Sequence, residues 1–160
     1  MSGIRYRLMR PGEEKAVCVL VERVFNELVA PDYKKNGIEE FFKYTNPEAL
    51  AARRGPDQFV VLAEEEGRVG GMIEIRGGDH IALFFVERRG EGISRGLLDL
   101  ALKECRRRKN DLTQITVNSS LFAEPIYRRL GFESSGGPHM VNGILFVPMT
   151  LRLETGPGKS

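Results

Sequence analysis

Residues 81–105 read IALFFVERRGEGISRGLLDLALKEC, and the rest of the predicted fold is arranged around this stretch. Its first six residues are apolar, with β-branched and aromatic side chains among them, which predicts a buried strand. A polar, glycine-rich segment follows at 87–92, and apolar residues then recur every three or four positions from Ile93 to Cys105, as on one face of a helix. A strand, a tight loop and a helix in this order direct unpaired backbone N–H groups and the positive end of the helix dipole into the loop. The stretch therefore predicts an anion site that suits phosphate.

Two common phosphate-binding loops do not match this segment. A P-loop requires G-x-x-x-x-G-K-[ST], and no Lys-Ser or Lys-Thr pair follows the glycines of this loop. A dinucleotide-binding fingerprint requires G-x-G-x-x-G, whereas Gly90, Gly92 and Gly96 are spaced one residue too far apart. Such sites also place an acidic residue at the end of the next strand, where this chain has Asn118. Taken alone, the glycines would also fit an ordinary surface turn.

The composition of the chain bounds its class. With 160 residues, 41% apolar and 29% charged, the chain is predicted to form one domain over residues 1–153 and a disordered tail at 154–160. The net charge of +2 gives no case for a nucleic-acid partner. No apolar run approaches the roughly 18 residues that cross a bilayer, and the N-terminus lacks the apolar core of a signal peptide. No membrane partner is therefore expected.

The cysteines and histidines bound the chemistry. Cys18 and Cys105 fall on predicted helix faces, which predicts reduced, buried core residues and a cytoplasmic protein. The two histidines, His80 and His139, and the two separated cysteines do not form a zinc cluster, so no metal is expected. No Ser-His-Asp or Cys-His set is spaced for nucleophilic catalysis.

The remaining periodicities predict an α/β domain with a mixed sheet and helices on both faces. The predicted order is β-α-α-β-β-β-α-β-α-β-β, with an antiparallel meander of three strands before the helix at 92–109. The strand that follows this helix should lie parallel to strand 81–86 and right-handed from it. The predicted strands are 4–9, 59–64, 69–76, 81–86, 112–117, one that opens at 132–133, and 144–153. The other predicted helices are 13–30, a region at 38–53 that is interrupted at Asn46-Pro47, and a short helix that ends at Gly131.

A second motif follows the predicted parallel strand. The segment NSSLFAEPIYRRLGF at 118–132 resembles the N-x-S-x-x-A-x-x-[FI]-Y-x-x-L-G-F motif of the GNAT superfamily of N-acetyltransferases at every fixed position. The loop RGEGIS at 89–94 is similar to the [QR]-x-x-G-x-[GA] pattern with which that superfamily holds coenzyme A. The resemblance covers nearly the whole chain. Two departures are Ser94 in place of the final Gly or Ala, and a link between Val86 and Arg89 that is about two residues shorter than usual.

The resemblance implies a cofactor site for acetyl-CoA. In the family the central parallel strands splay apart, and the pantetheine arm pairs with the exposed strand edge. Carried onto this sequence, that edge is Phe84, Phe85 and Val86, where a backbone N–H would also polarise the thioester carbonyl. Asn118 would bind the pantetheine amide. The residues implied for the pyrophosphate are Arg89, Gly90, Glu91, Gly92, Ile93, Ser94 and Arg95.

The resemblance also implies the chemistry. Tyr127 would be the general acid that protonates the leaving thiolate, since a phenol with a pKa near 10 stays protonated at neutral pH. The implied activity is direct transfer of an acetyl group to a primary amine in a ternary complex. The general base is open: Glu74 could relay a proton through water, but an outward-facing strand carboxylate is the preferred interpretation. His80 is predicted to be a surface turn residue.

The acceptor and the assembly stay open. The first two helices offer acidic and aromatic residues that would suit an amine, either a small molecule or a peptide amine: Phe25, Tyr33, Phe41, Phe42, Tyr44, Glu39 and Glu40. A homodimer is compatible with the family, and nothing in the sequence demonstrates it. The alternatives are a non-catalytic acyl-CoA-binding or sensing module, which would not need Tyr127, and a nucleotide-dependent oxidoreductase, which the glycine spacing disfavours.

Overall fold

The structure is a computed structural model that describes residues 3–87 and 92–153. Its helices are α1 (Glu14–Val24), α2 (Lys35–Tyr44), α3 (Pro47–Ala52), α4 (Ile93–Arg108) and α5 (Glu124–Arg129). Its strands are β1 (Arg5–Leu8), β2 (Phe59–Glu65), β3 (Arg68–Arg76), β4 (His80–Val86), β5 (Gln114–Ser119), β6 (Glu133–Ser134), β7 (His139–Val141) and β8 (Ile144–Arg152). The predicted residues Arg89, Gly90 and Glu91 and the predicted tail at 154–160 lie outside the described residues.

The eight strands form one mixed sheet in the order β1-β2-β3-β4-β5-β8-β6, with β7 paired to β8. Strands β1 to β4 are antiparallel neighbours, which confirms the predicted meander. Strands β4 and β5 are parallel, as predicted, but pair only at His80–Thr116 and Ile81–Val117. Beyond these two pairs the strands separate, so the C-terminal half of β4 has no partner on the β5 side. The predicted α/β fold with splayed central strands is thus confirmed.

The sheet buries both faces under helices. On one face, α4 packs mainly on β2 and β3, and its buried side chains share one apolar cluster with Ile73, Ile75 and Ile81. On the other face, α1 and Leu50 of α3 pack on Met72 and Leu83. Burial of such aliphatic side chains contributes about 1.5–3 kcal/mol each. The two apolar layers hold the separated strands from both sides and thereby position the gap between them.

The structure replaces the single helix predicted over 13–30 with three successive helical segments. Regular α1 ends at Val24, and the chain continues as a π-helical turn, Phe25–Val29, and a 3₁₀ turn, Ala30–Asp32. Pro31 lacks a backbone N–H and cannot continue a helix, which accounts for the stop before the extended Tyr33. The second helical region is divided at Asn46-Pro47 as predicted, because the Asn46 side chain caps α3 by accepting a hydrogen bond from the Ala49 N–H at 2.9 Å.

The C-terminal strands contain one more element than predicted. A short strand, β7, forms a hairpin with the start of β8 around Asn142 and Gly143, whose φ angles are +52° and +79°. Two consecutive residues with positive φ are typical of a tight hairpin turn. Strand β5 also starts and ends two residues later than predicted and includes Ser119. The added hairpin brings its turn onto helix α2.

Gly37 allows this hairpin to approach helix α2. A Cβ built at Gly37 would lie 2.3 Å from the carbonyl oxygen of Gly143, which is backbone and cannot rotate away. Exchange of a helical glycine for alanine ordinarily stabilises a helix by about 0.5–1 kcal/mol, but here overpacking is expected to cost about 1–3 kcal/mol. Gly37→Ala should therefore lower the melting temperature by several degrees. Thermal unfolding followed by circular dichroism measures this.

The matched control is Gly55→Ala, because no atom lies within 4 Å of a Cβ at Gly55. We expect its free energy of unfolding to stay within about 0.5 kcal/mol of the parent value. If Gly37→Ala proved as stable as Gly55→Ala or more so, the close approach of the hairpin to α2 would be refuted.

Candidate active site

A cavity of about 430 Å³ opens where β4 and β5 separate. Both strands line it, together with the π-helical turn, α2, α5 and the β7–β8 hairpin. The inserted residue Ala82, where the register of β3 and β4 shifts, also lines it. Bulges of this kind occur next to active sites because they redirect the strand backbone. The unpaired edge of β4 thus faces a space large enough for a ligand.

The cavity brings together six of the predicted site residues. They come from β4, from the first turn of α4, from β5 and from α5, and they are Phe84, Phe85, Val86, Ser94, Asn118 and Tyr127. Ile93, the first residue of α4, instead points into the buried core. The Arg95 side chain is exposed, with one guanidinium nitrogen 3.5 Å from the Leu130 carbonyl oxygen.

The N-terminus of α4 lies at one end of this cavity, through Ser94. Gly92 caps the helix with a φ of +75°, a left-handed conformation that favours glycine, and no side chain caps the helix. The first helical hydrogen bond joins the Gly96 N–H to the Gly92 carbonyl. The N–H groups of the first helical turn therefore have no acceptor within the helix, and the positive end of its dipole faces the same way. Such a helix start can hold an anion.

Tyr127 is held in place by two aromatic rings. Its ring lies edge-on to Phe84 at 5.8 Å and to Phe132 at 5.2 Å, measured between ring centroids. Among the described residues none forms a hydrogen bond with its hydroxyl. Burial raises the pKa of Tyr127 above its ordinary value, so the phenol stays protonated at neutral pH. The side chain can therefore donate a proton or a hydrogen bond to a ligand in the cavity.

The opposite wall of the cavity is aromatic. Tyr33, Phe41 and Tyr44 line it, and Glu40 lies on its rim. Phe25 is fully buried behind them and stacks on Phe41 with 3.8 Å between ring centroids. The expected aromatic group is therefore divided. Three of its members face the cavity, whereas Phe25 and Phe42 support them from the core side and Glu39 does not line the cavity.

Two predictions made from isolated positions are wrong. Glu74 is not an outward-facing carboxylate: it is 1% exposed and accepts hydrogen bonds from Arg53 at 2.8 and 3.1 Å and from Gln58 at 2.9 Å. It does not line the cavity. His80 is not a surface turn residue: it is half-buried, begins β4 and lines the cavity, and its Nδ1 lies 2.8 Å from Thr116 Oγ1. Burial lowers the pKa of His80, and the nearby Arg76 guanidinium lowers it further.

Sequence patterns alone missed His80 and its neighbour Arg76, which also lines the cavity. The pairing of β3 with β4 could have identified them, because Arg76 stands directly opposite His80 in this pair of strands. Directly opposed residues in an antiparallel pair share one face of the sheet. A sequence-based pairing of the two strands would have placed both residues beside the gap.

The cysteines take no part in this site. Cys18 and Cys105 are free and buried, as predicted, and neither lines the cavity. Burial raises the pKa of Cys18 to about 11 and that of Cys105 to about 12, so both remain thiols at neutral pH. No group of three or more His, Cys, Asp or Glu side chains that could hold a metal occurs within residues 3–87 and 92–153. Over the same ranges no helix is long and apolar enough to cross a membrane.

Comparison with known proteins places this arrangement in a family. Among solved structures, the chain is similar to a GCN5-related N-acetyltransferase from Rhodopseudomonas palustris, with a TM-score of 0.79, 23% identity, and 96% of this chain and 98% of that chain covered. It is also similar to the PaiA N-acetyltransferase from Thermoplasma acidophilum in complex with coenzyme A, with a TM-score of 0.73, 16% identity, and 94% and 99% of the two chains covered.

A third similar structure is the aminoglycoside 6'-N-acetyltransferase from Enterococcus faecium, with a TM-score of 0.69, 16% identity, and 96% and 99% coverage. At these identities the similarity shows the fold. A comparison with curated proteins gives no significant match. The family model described as "Acetyltransferase (GNAT) domain" matches residues 29–153, which include β2 to β8 and the whole cavity edge of β4. The chain therefore belongs to the GNAT acetyltransferase family.

Proposed function

We propose that this chain transfers the acetyl group of acetyl-CoA to a primary amine by direct attack in a ternary complex. The observation that carries the proposal is the position of Tyr127. Its hydroxyl has no partner among the described residues, and its ring contacts Phe84 on the unpaired edge of β4. A protonated phenol beside an open strand edge suits a reaction in which a thiolate leaves and must take up a proton.

The residues of the cavity fit acetyl-CoA. The backbone of Phe84, Phe85 and Val86 lies along the unpaired part of β4 and would pair with the amides of the pantetheine arm. A backbone N–H there would polarise the thioester carbonyl and stabilise its developing negative charge. Asn118, at the end of β5, would bind a pantetheine amide. The first turn of α4, with Gly92, Ile93, Ser94 and Arg95, would hold the pyrophosphate.

The same proposal extends to Arg89, Gly90 and Glu91, whose backbone precedes α4 in the sequence. The Thermoplasma acidophilum structure, similar in fold, contains coenzyme A, and this supports the cofactor assignment. The acceptor side of the cavity, with Tyr33, Phe41, Tyr44 and Glu40, suits the apolar body and the positive charge of an amine. A small-molecule amine and a peptide amine both meet this description, and the similar Enterococcus faecium enzyme acts on an aminoglycoside by its name.

The direct test is isothermal titration of the purified protein with acetyl-CoA, CoA, NAD and ATP, together with a thiol-release assay against a panel of primary amines. We expect micromolar binding of acetyl-CoA, no binding of NAD, and thiol release that depends on one class of amine. Binding of acetyl-CoA without turnover on any amine would favour a non-catalytic acyl-CoA sensor. Absence of acetyl-CoA binding would refute the cofactor assignment.

A charge at position 94 tests the phosphate end of the site. Ser94→Glu places a carboxylate where we assign the pyrophosphate, and like charges a few ångströms apart at a protein surface repel by about 1–4 kcal/mol. We therefore expect the Kd of acetyl-CoA to rise by about 10- to 100-fold in titration calorimetry. Folding should not suffer, since an acidic side chain in the first turn of a helix is favourable.

The control for this variant is Ser135→Glu, because Ser135 is exposed and does not line the cavity. It makes the same change of side chain and net charge, and its acetyl-CoA affinity should equal that of the parent. Equal affinities of Ser94→Glu and the parent would show that the pyrophosphate does not lie at α4.

A further inference from the structure

His80 occupies the point at which the two central strands separate. It is the first residue of β4 and forms one of the two pairs that join β4 to β5. The neighbouring pair, Ile81–Val117, is the last before the gap. The side chain of His80 lines the cavity and is half-buried. His80 therefore lies where the gap between β4 and β5 closes. The unpaired edge of β4, to which we assign the thioester, borders the same gap.

His80 and Tyr127 lie on opposite faces of the sheet. Arg76 stands opposite His80 and shares its face with Glu74, which bonds to Arg53 just after α3, on the side of the sheet that α1 covers. Tyr127 and Phe84 belong to the other layer, which packs around α4. The two side chains thus approach the gap from different sides, with His80 on the side of the aromatic wall.

A hydrogen bond holds the imidazole of His80. Its Nδ1 lies 2.8 Å from Thr116 Oγ1, a contact that either tautomer can form. When Nδ1 carries the proton and donates it to Thr116 Oγ1, the lone pair of Nε2 is free to accept a proton. Three effects act on the charge of the ring: burial and the Arg76 guanidinium lower the pKa of His80, and the Asp79 carboxylate raises it by less. The imidazole is therefore neutral at pH 7.

No other described cavity residue meets both needs of a base at neutral pH, namely a free lone pair and shelter from solvent. Burial raises the pKa of Tyr33 and Tyr44, so both stay protonated. Glu40 is exposed and bound to Lys43 at 3.3 Å. Glu74, which the sequence suggested as a proton relay, accepts hydrogen bonds from Arg53 and Gln58 and does not line the cavity.

We propose that His80 is the general base of the reaction and that Thr116 positions it. This inference rests on the proposed acetyl transfer. The amine nitrogen forms a bond to the thioester carbonyl carbon and becomes acidic, and His80 Nε2 takes its proton. The carbon–sulfur bond breaks, and the thiolate takes the phenolic proton of Tyr127. The two residues then return to their starting states by net transfer of one proton from His80 to Tyr127 through solvent, which balances the acetylation of a neutral amine.

Kinetics test this proposal through the pH profile. We expect His80→Gln to lower kcat/KM for the acceptor by about 100-fold at pH 7, with the Kd of acetyl-CoA unchanged in titration calorimetry. In the parent enzyme kcat/KM should fall as the pH drops through the pKa of His80, because the protonated ring cannot accept a proton. The part of that acid limb that has the pKa of His80 should disappear in His80→Gln, whereas the part that comes from protonation of the acceptor amine itself should stay. A variant with parent activity at pH 7 and an unchanged acid limb would overturn the proposal.

Thr116 provides a test of positioning. Thr116→Val removes the acceptor for Nδ1–H at nearly constant volume and should lower kcat with little change in the acceptor KM. Thr116→Ser restores the hydroxyl and should restore kcat. A Thr116→Val enzyme with the parent kcat would contradict the positioning role.

A spectroscopic test is independent of turnover. The chain has two histidines, so His139→Gln leaves His80 as the only imidazole signal in long-range ¹⁵N–¹H spectra. We expect the Nδ1–H tautomer and a pKa below the ordinary histidine value, and the Nε2–H tautomer would exclude Nε2 as the base. Failure of acetyl transfer itself would appear in the parent enzyme, as acetyl-CoA binding without thiol release. If only the His80 proposal failed, the parent enzyme would be active, and the spectra would show the Nε2–H tautomer of His80.

Discussion

Replacement of Tyr127 by phenylalanine is expected to lower kcat by about 100- to 1,000-fold, the usual range for loss of a general acid. Phenylalanine keeps the ring contacts with Phe84 and Phe132 and removes only the hydroxyl, which has no partner among the described residues. Neither the fold nor the affinity for acetyl-CoA should therefore change much. Steady-state kinetics beside titration calorimetry separate the loss of chemistry from a loss of binding.

The pH dependence of this reaction adds a second readout. Because burial raises the pKa of Tyr127 above its ordinary value, the phenol remains protonated below that pKa and is lost as an acid only above it. The kcat of the parent enzyme should therefore show no alkaline decline up to about pH 9.5, below the ordinary tyrosine pKa. A decline near pH 8 would contradict the assignment of Tyr127.

The matched control is Tyr6→Phe, since Tyr6 lies on β1 against Gly96 and does not line the cavity. It removes the same hydroxyl from a half-buried ring and should keep the parent kcat. If Tyr127→Phe retained more than about a tenth of the parent kcat, the thiolate would have another source of protons, such as water, and Tyr127 would serve only to pack against Phe84.

Local sequence patterns correctly predicted the parts of this fold that depend on residues close together in the sequence. The meander and the crossover helix follow from periodicity and turn residues within about thirty positions of each other. The place of Tyr127 in the site was implied by the resemblance of residues 118–132 to the GNAT motif. The parallel pairing of β4 with β5 followed as well, because a strand, helix and strand in succession almost always form a right-handed crossover. These rules predicted the strand that contains Phe84, whereas the assignment of Phe84 and Tyr127 to a site was implied by the family resemblance.

The other side of the cavity depends on contacts between distant segments. Whether Glu74 and His80 face solvent or a helix layer is set by the register of β3 against β4, including the shift between Glu74 and Ile75. A slip of one residue reverses every side chain of a strand, so single-position reasoning could not orient these two residues. Strand β7 was missed because it has only three residues, too few to show an alternating pattern.

Loss of the Arg53 guanidinium is expected to produce the largest change in stability. Arg53 donates two hydrogen bonds to Glu74, at 2.8 and 3.1 Å, and a third to the Tyr44 carbonyl at 2.6 Å. Arg53→Met would leave the Glu74 carboxylate, which is 1% exposed, with Gln58 as its only donor among the described residues. Removal of one member of a buried ion pair costs about 3–5 kcal/mol. At about 2–4 °C per kcal/mol for a chain of this length, the melting temperature should fall by roughly 10 °C.

Two further variants show whether this loss comes from the uncompensated charge. Arg54→Met removes the neighbouring arginine, whose ion pair with Glu14 is longer, at 3.6 Å, and more exposed, and it should cost less than about 1 kcal/mol. The double variant Arg53→Met/Glu74→Leu removes both charges and should recover most of the lost stability, because apolar side chains of similar volume can replace a buried ion pair. Since Glu74 does not line the cavity, the double variant should also keep most of the parent turnover. A stable double variant without activity would instead indicate that Glu74 takes part in the reaction. It would thereby remove the main argument for His80 as the base.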